Sequence, residues 1–439
     1  MRQRITKEQL NSALTNEDLV KAIETLDAEI AQLVELNPTW LEFCREKSAI
    51  AIESLSFLFR QWVRLHRKGY PSSSQEYLRL VERQMRDVKQ VYIAFYRLSP
   101  GLVYELKDSA PELFIWLMLE PEFEQERHHL LAAIKTAETI DSKDATLLIL
   151  HSKLAHLDIT LARLIEGKVS ASQLCFDLMR LRQTLSIGLA KHWMKEEALK
   201  EQDVHPVLAK FDVEDSVEWI NEIQNDEKYL FELLLCKHDR GTWFRKRFGV
   251  QEEGLPSEYV ITFAKLLELV EFNQFDPSKD MAPIQMVLTG KPEWILAALD
   301  HVMTLDEEQG EEWLFALDVV YGERFPLNPH ELGVEYEWEE AIASLEDWRD
   351  SNEHNVNKSM RLGEALTFES TMRAMTNARI PEHYRTWIWR HLCIHGRVYI
   401  PWEWSMPAVQ QDWLFSKVSD QPAAIERFNL RNQNATVGY

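Results

Sequence analysis

Glycine, proline and long apolar runs are all scarce in this chain, and their scarcity narrows the possible folds. The 439 residues include 14 glycines and 16 prolines, and Leu, Glu and Ala are the commonest residues. Strong helix formers in this proportion favour an all-α protein. The longest apolar stretches, such as residues 113–119, are far shorter than the roughly 20 residues of a membrane-spanning helix. The sequence therefore predicts a helical protein that does not insert into membranes.

Cysteine is also rare, and its placement excludes a disulfide framework or a zinc site. The four cysteines, Cys44, Cys175, Cys236 and Cys393, lie far apart, and each falls inside an apolar helical pattern. This arrangement is typical of buried free thiols in a reducing compartment. Residues 1–8 lack the apolar core of a signal peptide. We therefore expect a cytoplasmic protein.

Positive charge is in deficit, which limits the classes of partner. Lys and Arg number 49 against 71 Asp and Glu, so the formal net charge is −22. A surface this acidic repels phosphate backbones and anionic membranes, so we expect no nucleic acid partner. The charge suits a basic protein partner, although acidity also serves solubility. Hydrophobic residues make up 45% of the chain, which argues against disorder.

The first 200 residues carry helical patterns of unusual length. Thr15 opens a helix that runs to about Leu36, and a second helix of roughly 30 residues follows from Pro38. A third helix reaches Leu98 before Ser99-Pro100-Gly101 breaks the pattern. Short connections between long helices predict an N-terminal helical bundle over residues 1–140. Residues 141–205 predict further long helices that connect this bundle to the rest of the chain.

After Asp203 the helical segments become shorter and tryptophan becomes denser. Two amphipathic helices, residues 290–303 and 311–322, cannot bury both apolar stripes alone and must stack on neighbours. Gly310 and Gly322 are placed to stop helices. The sequence thus predicts an irregular HEAT-like α-solenoid, a domain of helical repeats, over residues 206–420. The polar residues 421–439 predict a flexible tail.

No catalytic signature appears along the chain. The adjacent His128 and His129 point about 100° apart on a helix, which suits a solvated helix face better than a shared metal. His151 and His156 are five residues apart, a poor fit to the spacing that places two imidazoles on one metal. The sequence predicts no catalytic residue, no metal site and no cofactor.

A cluster of aromatic residues near the C-terminus is the strongest candidate for a partner-binding surface. Exposed tryptophans in a loop would anchor a protein partner. The alternative is that these indoles close the last layer of the helical array. The candidate anchors are Trp387, Trp389, Tyr399, Trp402 and Trp404.

A cluster of three basic residues, which we call the basic cluster, is a second candidate for contact with a partner. Arg245, Lys246 and Arg247 lie between aromatic residues, a combination that stacks on nucleotides in some proteins. Within so acidic a chain, internal salt bridges or contact with an acidic protein are favoured instead.

Four stretches resemble one family of proteins. They are residues 289–295 (TGKPEWI), 315–323 (FALDVVYGE), 360–368 (MRLGEALTF) and 385–392 (RTWIWRHL). They resemble proteobacterial proteins of unknown function with HEAT-like helical repeats, often encoded in type VI secretion clusters. The resemblance covers the C-terminal third and implies a helical-repeat fold in a secretion setting. The family has no known active site whose residues could be assigned to positions of this sequence.

These observations predict a non-enzymatic interaction scaffold or adaptor, as an accessory of a type VI secretion system. Two alternatives stay open. An immunity or inhibitor protein that binds a basic toxin would suit the negative charge. An all-α enzyme with a dispersed active site would leave no motif in the sequence.

Overall fold

The computed structural model describes residues 3–36, 38–68, 76–123, 127–222, 227–249, 254–269, 272–351, 356–377 and 379–434. Over these residues the chain is all-α, as predicted. The strands among them are β1 (Met360–Arg361) and β2 (Glu364–Ala365), which pair antiparallel with Met360 opposite Ala365. So short a ribbon adds little to the core, which is built by helices.

The chain divides into two compact units. Unit 1 comprises Met1–Arg67, Pro71–Val207 and Pro401–Gln411, and unit 2 comprises Lys68–Tyr70, Leu208–Ile400 and Asp412–Tyr439. The chain passes into unit 2 close to the predicted start of the repeat domain at residue 206. Residues 401–411, which the sequence predicts as part of that domain, return to unit 1.

Unit 1 begins with three long helices and continues with shorter ones. Helix α12 begins in this unit and ends in unit 2. The helices are α1 (Asn16–Leu36), α2 (Pro38–Lys68), α3 (Glu76–Leu98), α4 (Gly101–Tyr104), α5 (Leu106–Ser109), α6 (Pro111–Met118), α7 (Arg127–Ala137), α8 (Ser142–His151), α9 (Leu157–Glu166), α10 (Ser172–Leu181), α11 (Ile187–Lys195) and α12 (Glu201–Ala209), with 3-10 turns at Lys7–Gln9 and Pro121–Phe123.

The long helices form where the sequence predicts them. The backbone N–H of Thr15 donates to Asp18 at 2.7 Å, which fixes the start of α1. Helix α1 packs on α4 and α7. Helices α2 and α3 are joined by a hydrogen bond in which Trp62, near the end of α2, donates its indole N–H to Glu82, near the start of α3, at 3.4 Å.

Residues 141–205 depart from the prediction of long connecting helices. Helices α8 to α11 have ten residues or fewer. Three of their ends place a residue other than glycine in the left-handed region, namely Lys168, Gln183 and Glu197 at φ of 54°, 61° and 57°. Each such residue lets a backbone N–H turn back to a carbonyl of the last turn and so ends the helix. A search for glycine and proline stops cannot detect these ends.

Unit 2 consists of short and medium helices. Helix α23 begins in unit 1 and ends in this unit. The helices are α13 (Glu214–Glu222), α14 (Leu230–Cys236), α15 (Arg240–Phe248), α16 (Glu258–Leu266), α17 (Ala282–Thr289), α18 (Ile295–Val302), α19 (Glu307–Tyr321), α20 (Trp338–Ser351), α21 (Phe368–Thr376), α22 (Glu382–Gly396), α23 (Ala408–Ser419) and α24 (Pro422–Asn434), with 3-10 turns at Pro292–Trp294, Gly322–Arg324 and Pro329–Glu331.

Gly310 was predicted to end a helix, but in the structure it does not. It lies inside α19, where a Cβ atom would come within 2.0 Å of the Trp338 ring, so the glycine is required by close packing. Gly322 follows α19 at φ 52°, which agrees with its predicted role as a helix stop. The HEAT-like solenoid itself stays a prediction.

The predicted flexible tail is largely a helix. Helix α24 packs against α22 and buries Ala424 and Phe428. The polar run Arg431–Asn434 belongs to its last turn, and Arg431 donates to the carbonyl of Leu267 at 2.7 Å. Ala424 and Phe428, four residues apart, form an apolar stripe, and the burial of this stripe holds the segment in a helix despite its polar composition. Residues 435–439 lie outside the described residues.

Candidate functional site

Three of the candidate tryptophans have little exposed surface. Trp387 lies in unit 2 with 6% of its area exposed, and Trp402 and Trp404 lie in unit 1 with 4% each. The indole N–H of Trp402 donates to Gln411 Oε1 at 2.8 Å. These indoles therefore occupy the core, and in this structure they lack the exposed face that a partner anchor needs.

The other two aromatic candidates are half-buried and occupied by contacts within unit 2. Trp389 donates its indole N–H to the carbonyl of Ile400 at 2.8 Å, and its ring packs 5.0 Å from that of Phe231. Tyr399 packs edge-to-face with Phe211, with ring centroids 5.7 Å apart, and the Lys210 ammonium lies 5.5 Å from the Tyr399 ring. Partner binding by this pair stays a prediction.

The basic cluster, Arg245, Lys246 and Arg247, lies in the last turns of α15. Lys246 and Arg247 are exposed and Arg245 is half-buried, while the adjacent Phe244 is completely buried. Cations near a helix C-terminus are favourable because the helix dipole is negative there. Burial of Phe244 removes one of the aromatic faces that nucleotide stacking would use.

His129 is buried in unit 1, which corrects the expectation of a solvated helix face. Its Nδ1–H donates to the Phe123 carbonyl at 2.7 Å, since a carbonyl can only accept, and its Nε2 accepts from the Tyr104 hydroxyl at 2.6 Å. Burial, with a smaller contribution from the neighbouring His128, lowers the pKa of His129 to about 4. The imidazole is thus neutral and fully occupied by structural hydrogen bonds.

Unit 2 contains a directed chain of buried hydrogen bonds. His395 Nε2–H donates to the Leu266 carbonyl at 2.6 Å, so its Nδ1 accepts from His391 Nε2–H at 2.9 Å. His391 Nδ1 in turn faces the Arg361 guanidinium at 3.5 Å. Burial above all holds the pKa of both histidines well below the ordinary value. Both rings are neutral, and the chain of hydrogen bonds links helices α16 and α22 with strand β1 rather than forming a reaction centre.

Two buried arginines cap helix C-termini in unit 2. Arg361 donates to the carbonyls of Val287 and Leu288 at the end of α17, at 2.9 and 3.3 Å, and to the Thr371 hydroxyl at 2.9 Å. Arg240 donates to the Leu234 and Ile394 carbonyls. Burial lowers the pKa of Arg361 to about 9 and that of Arg240 to about 10. These cations satisfy the carbonyls that every buried helix end leaves without a partner.

A cleft of about 380 Å³ opens in unit 1. The buried Lys89 lies beside it and bridges Glu120 at 2.8 Å and Glu122 at 2.9 Å. Although burial raises the pKa of Glu122, the hydrogen bond from Lys89 brings it below the ordinary value. These charged groups are bonded to one another, which is an arrangement that stabilises the fold. The cleft is lined by Trp62, Glu82, Met85, Arg86, Lys89, Trp116, Glu120, Pro121, Glu122, His151 and Lys153.

Two rows of exposed apolar side chains follow the α2–α3 pair. The α2 row recurs every seven residues, at Phe43, Ile50 and Phe57, with 55%, 65% and 54% of their areas exposed. A seven-residue period keeps the side chains on one face of a helix. The buried Leu55 and Trp62 lie on the opposite face of α2. The row is thus separate from the stripe that holds α2 to its unit.

The α3 row has the same period. Tyr77, Val91 and Leu98 lie on one heptad series, with 53%, 40% and 62% of their areas exposed, and Leu80, 43% exposed, lies on the adjacent series. The buried stripe of α3, which includes Met85, occupies the other side of the helix. We call these seven residues the exposed apolar rows. Their exposed areas sum to on the order of 600 Å² over the two helices.

Sequence analysis finds the buried stripe of α2 but not its exposed row. Phe43, Ile50 and Phe57 are close in sequence to the core positions, although they lie on another face of the helix. A search for one amphipathic stripe therefore assigns all of these apolar residues to the core. The available signal is a second heptad series on a helix that already has one. A helix that is apolar on two faces has two surfaces to cover.

The described residues contain no group of three or more His, Cys, Asp or Glu side chains arranged to hold a metal ion. Within the same described residues, no helix combines the length and the apolar composition that a bilayer crossing requires. Comparison with protein-family models, curated proteins and solved structures finds no match. The resemblance to HEAT-like proteins of secretion clusters therefore stays a prediction.

Proposed function

We propose that the protein is a non-enzymatic interaction scaffold or adaptor that works in the cytoplasm. The observation that carries the proposal is the pair of exposed apolar rows on α2 and α3. Water-exposed apolar area of this size is costly to a monomer, and it is typical of surfaces that bind another protein. An accessory role in a secretion machine is the setting that the sequence resemblance implies.

The burial and hydrogen bonding of the polar groups support the same proposal. A dispersed active site would need histidines and acids that are accessible and poised near neutral pH. His129, His391 and His395 are instead buried, neutral and bonded to protein groups. Lys89 holds two of the acids that border the cleft.

The test is affinity capture from native lysate with a variant of the α2 row. Phe43, Ile50 and Phe57 are changed together to Ser, and the matched control changes Leu296 and Val334 to Ser, which are 50% and 79% exposed in unit 2. We expect a stoichiometric partner with the wild type and the control, and at least a tenfold loss with the α2 variant, because the variant removes the apolar contact area. Recovery of no stoichiometric partner by the wild type, or equal recovery by all three proteins, would overturn the proposal.

A further inference from the structure

Arg390 on helix α22 is a cation held among aromatic rings of unit 2. Its guanidinium carbon lies 4.5 Å from the ring centre of Trp387, 5.6 Å from that of Tyr259 and 6.0 Å from that of Phe231. Contacts between a guanidinium and an aromatic face are attractive, and they become stronger where water is excluded. The rings therefore hold the side chain of Arg390 in one position, although it is only half-buried.

The hydrogen-bond donors of Arg390 have no acceptor within the part of the chain that the structure describes. Its Nε–H is buried without a partner, whereas its terminal Nη atoms are accessible to solvent. The buried Arg240 and Arg361, by comparison, donate to helix carbonyls. A guanidinium that has lost part of its hydration without gaining an acceptor binds an anion more strongly than a fully hydrated one. Its planar fork matches the two oxygens of one carboxylate.

The other charged groups around this site are already bonded. Lys210 and Glu232 form an ion pair at 2.8 Å. Glu227 accepts a hydrogen bond from the Ser257 hydroxyl. Two cations and two acids thus balance here, and Arg390 differs from the rest in its unused donors rather than in a net field. The two acids would repel a doubly charged phosphate more than a singly charged carboxylate.

Aromatic rings continue from Arg390 in two directions. Around α22 the residue lies between Trp387 and Trp389, because residues three apart are about 60° apart on a helix and adjacent residues about 100°. The Trp389 ring lies 6.2 Å from that of Tyr399, which packs 5.7 Å from Phe211. Phe211 has 46% of its area exposed. A carboxylate with apolar groups on both sides of it in the chain matches this order.

We propose that Arg390 binds the side-chain carboxylate of an aspartate or glutamate in a partner protein, and that apolar residues near this acid pack on the adjoining rings. The inference rests on the proposed function, because an adaptor needs a second contact surface apart from the exposed apolar rows. The carboxylate accepts from the two Nη atoms, and the apolar neighbours exclude water from the pair. A C-terminal carboxylate fits less well, since a chain end would leave one side of the rings uncovered.

The experiment uses the full chain labelled with 5-fluorotryptophan and a set of short peptides. The Trp389 signal in the fluorine NMR spectrum, identified by its loss in Trp389→Phe, reports binding beside Arg390. The main probe is acetyl-Phe-Glu-Phe-amide, and its matched control has Gln in place of Glu. Acetyl-Phe-Phe with a free C-terminus tests a chain-end carboxylate. A phosphoserine peptide of the same design as the main probe tests phosphate.

We expect the Glu peptide to bind about tenfold more tightly than the Gln peptide, because the carboxylate gains charged hydrogen bonds from the guanidinium. Arg390→Gln should remove the difference between the two peptides. Arg390→Lys keeps the charge but lacks the planar fork, so it should leave a smaller difference. The control variant Arg83→Gln, at an exposed arginine of unit 1, should keep the full difference.

Four results would overturn the inference. They are no binding of any peptide, equal binding of the Glu and Gln peptides, an Arg390→Gln variant that keeps the preference, or tighter binding of the C-terminal or phosphoserine probe. The comparison of peptides on the wild type does not depend on the folding of any variant. If it fails, the proposed function stands as long as lysate capture depends on the α2 row. If capture fails and the preference is found, the chain has a carboxylate site without an adaptor role.

Discussion

The long helices of unit 1 and the short helices of unit 2 expose and bury their side chains in opposite ways. Helices α1 to α3 contribute nine of the sixteen large apolar side chains that are exposed among the described residues. The short helices of unit 2 bury cations and histidines at their ends, as at Arg240, Arg361 and His395. A long helix has few ends to satisfy and much lateral surface to cover, whereas short helices multiply buried ends.

The difference places function and stability in different regions. In unit 2 the buried side chains of Arg240, Arg361 and His395 are bonded to helix carbonyls, so they maintain the fold. In unit 1 the exposed apolar rows lie on the lateral faces of α2 and α3, which is where the proposed partner would bind. The predicted aromatic anchors Trp402 and Trp404 are buried, which is consistent with binding by helix faces rather than by a tryptophan loop.

The largest expected effect is the loss of a helix cap in unit 2. Replacing Arg361 with Met leaves the carbonyls of Val287 and Leu288 buried without partners. We expect the free energy of unfolding to fall by about 4 kcal/mol, because each buried unsatisfied group costs about 1–3 kcal/mol. Urea unfolding followed by tryptophan fluorescence measures the change. Replacing Arg373, whose ion pair with Glu364 is exposed, should change stability by less than about 1 kcal/mol. Equal effects would contradict the capping role.

A smaller effect is expected from pH in unit 1. His129 has a pKa of about 4 in the folded protein and an ordinary value of 6.5, so the unfolded chain takes up a proton first as the pH falls. Its stabilising contribution is complete above pH 6.5 and is lost progressively toward pH 4. By pH 5 the loss is about 2 kcal/mol.

Replacing His129 with Gln removes this titration and keeps one donor and one acceptor for Phe123 and Tyr104. The loss of stability between pH 7 and pH 5, measured by urea unfolding, should shrink by about 2 kcal/mol. Replacing the exposed His238 with Gln serves as the control and should leave the pH dependence of the wild type. An unchanged pH dependence in the His129 variant would show that this imidazole is not the titrating group.

The smallest effect is expected for the exposed apolar rows themselves. Changing Phe57 to Ser should alter the free energy of unfolding by no more than about 0.5 kcal/mol, because the side chain is more than half exposed. Changing the completely buried Leu55 on the same helix to Ala should cost about 2–5 kcal/mol. Thermal unfolding of the two variants separates them. A large loss with Phe57→Ser would place this row in the core instead of on a docking surface.

Local signals in the sequence predicted a good part of the architecture. The start of α1 at Thr15, the long α2 and the break after Leu98 all follow from capping residues and apolar period. The short helices α9 to α11 could not be predicted, because Lys168, Gln183 and Glu197 carry no intrinsic preference for the left-handed region. Only the packing of the helices that follow makes that conformation favourable at those positions.

By itself, the sequence determined the all-α class, because its helix formers and 3.6-residue periodicity leave no sheet to build. It also determined the acidic net charge. Only the tertiary structure decided which apolar positions remain exposed to water. Leu55 and Phe57 are both large apolar residues of α2, and they differ in whether another part of the protein covers their side chains.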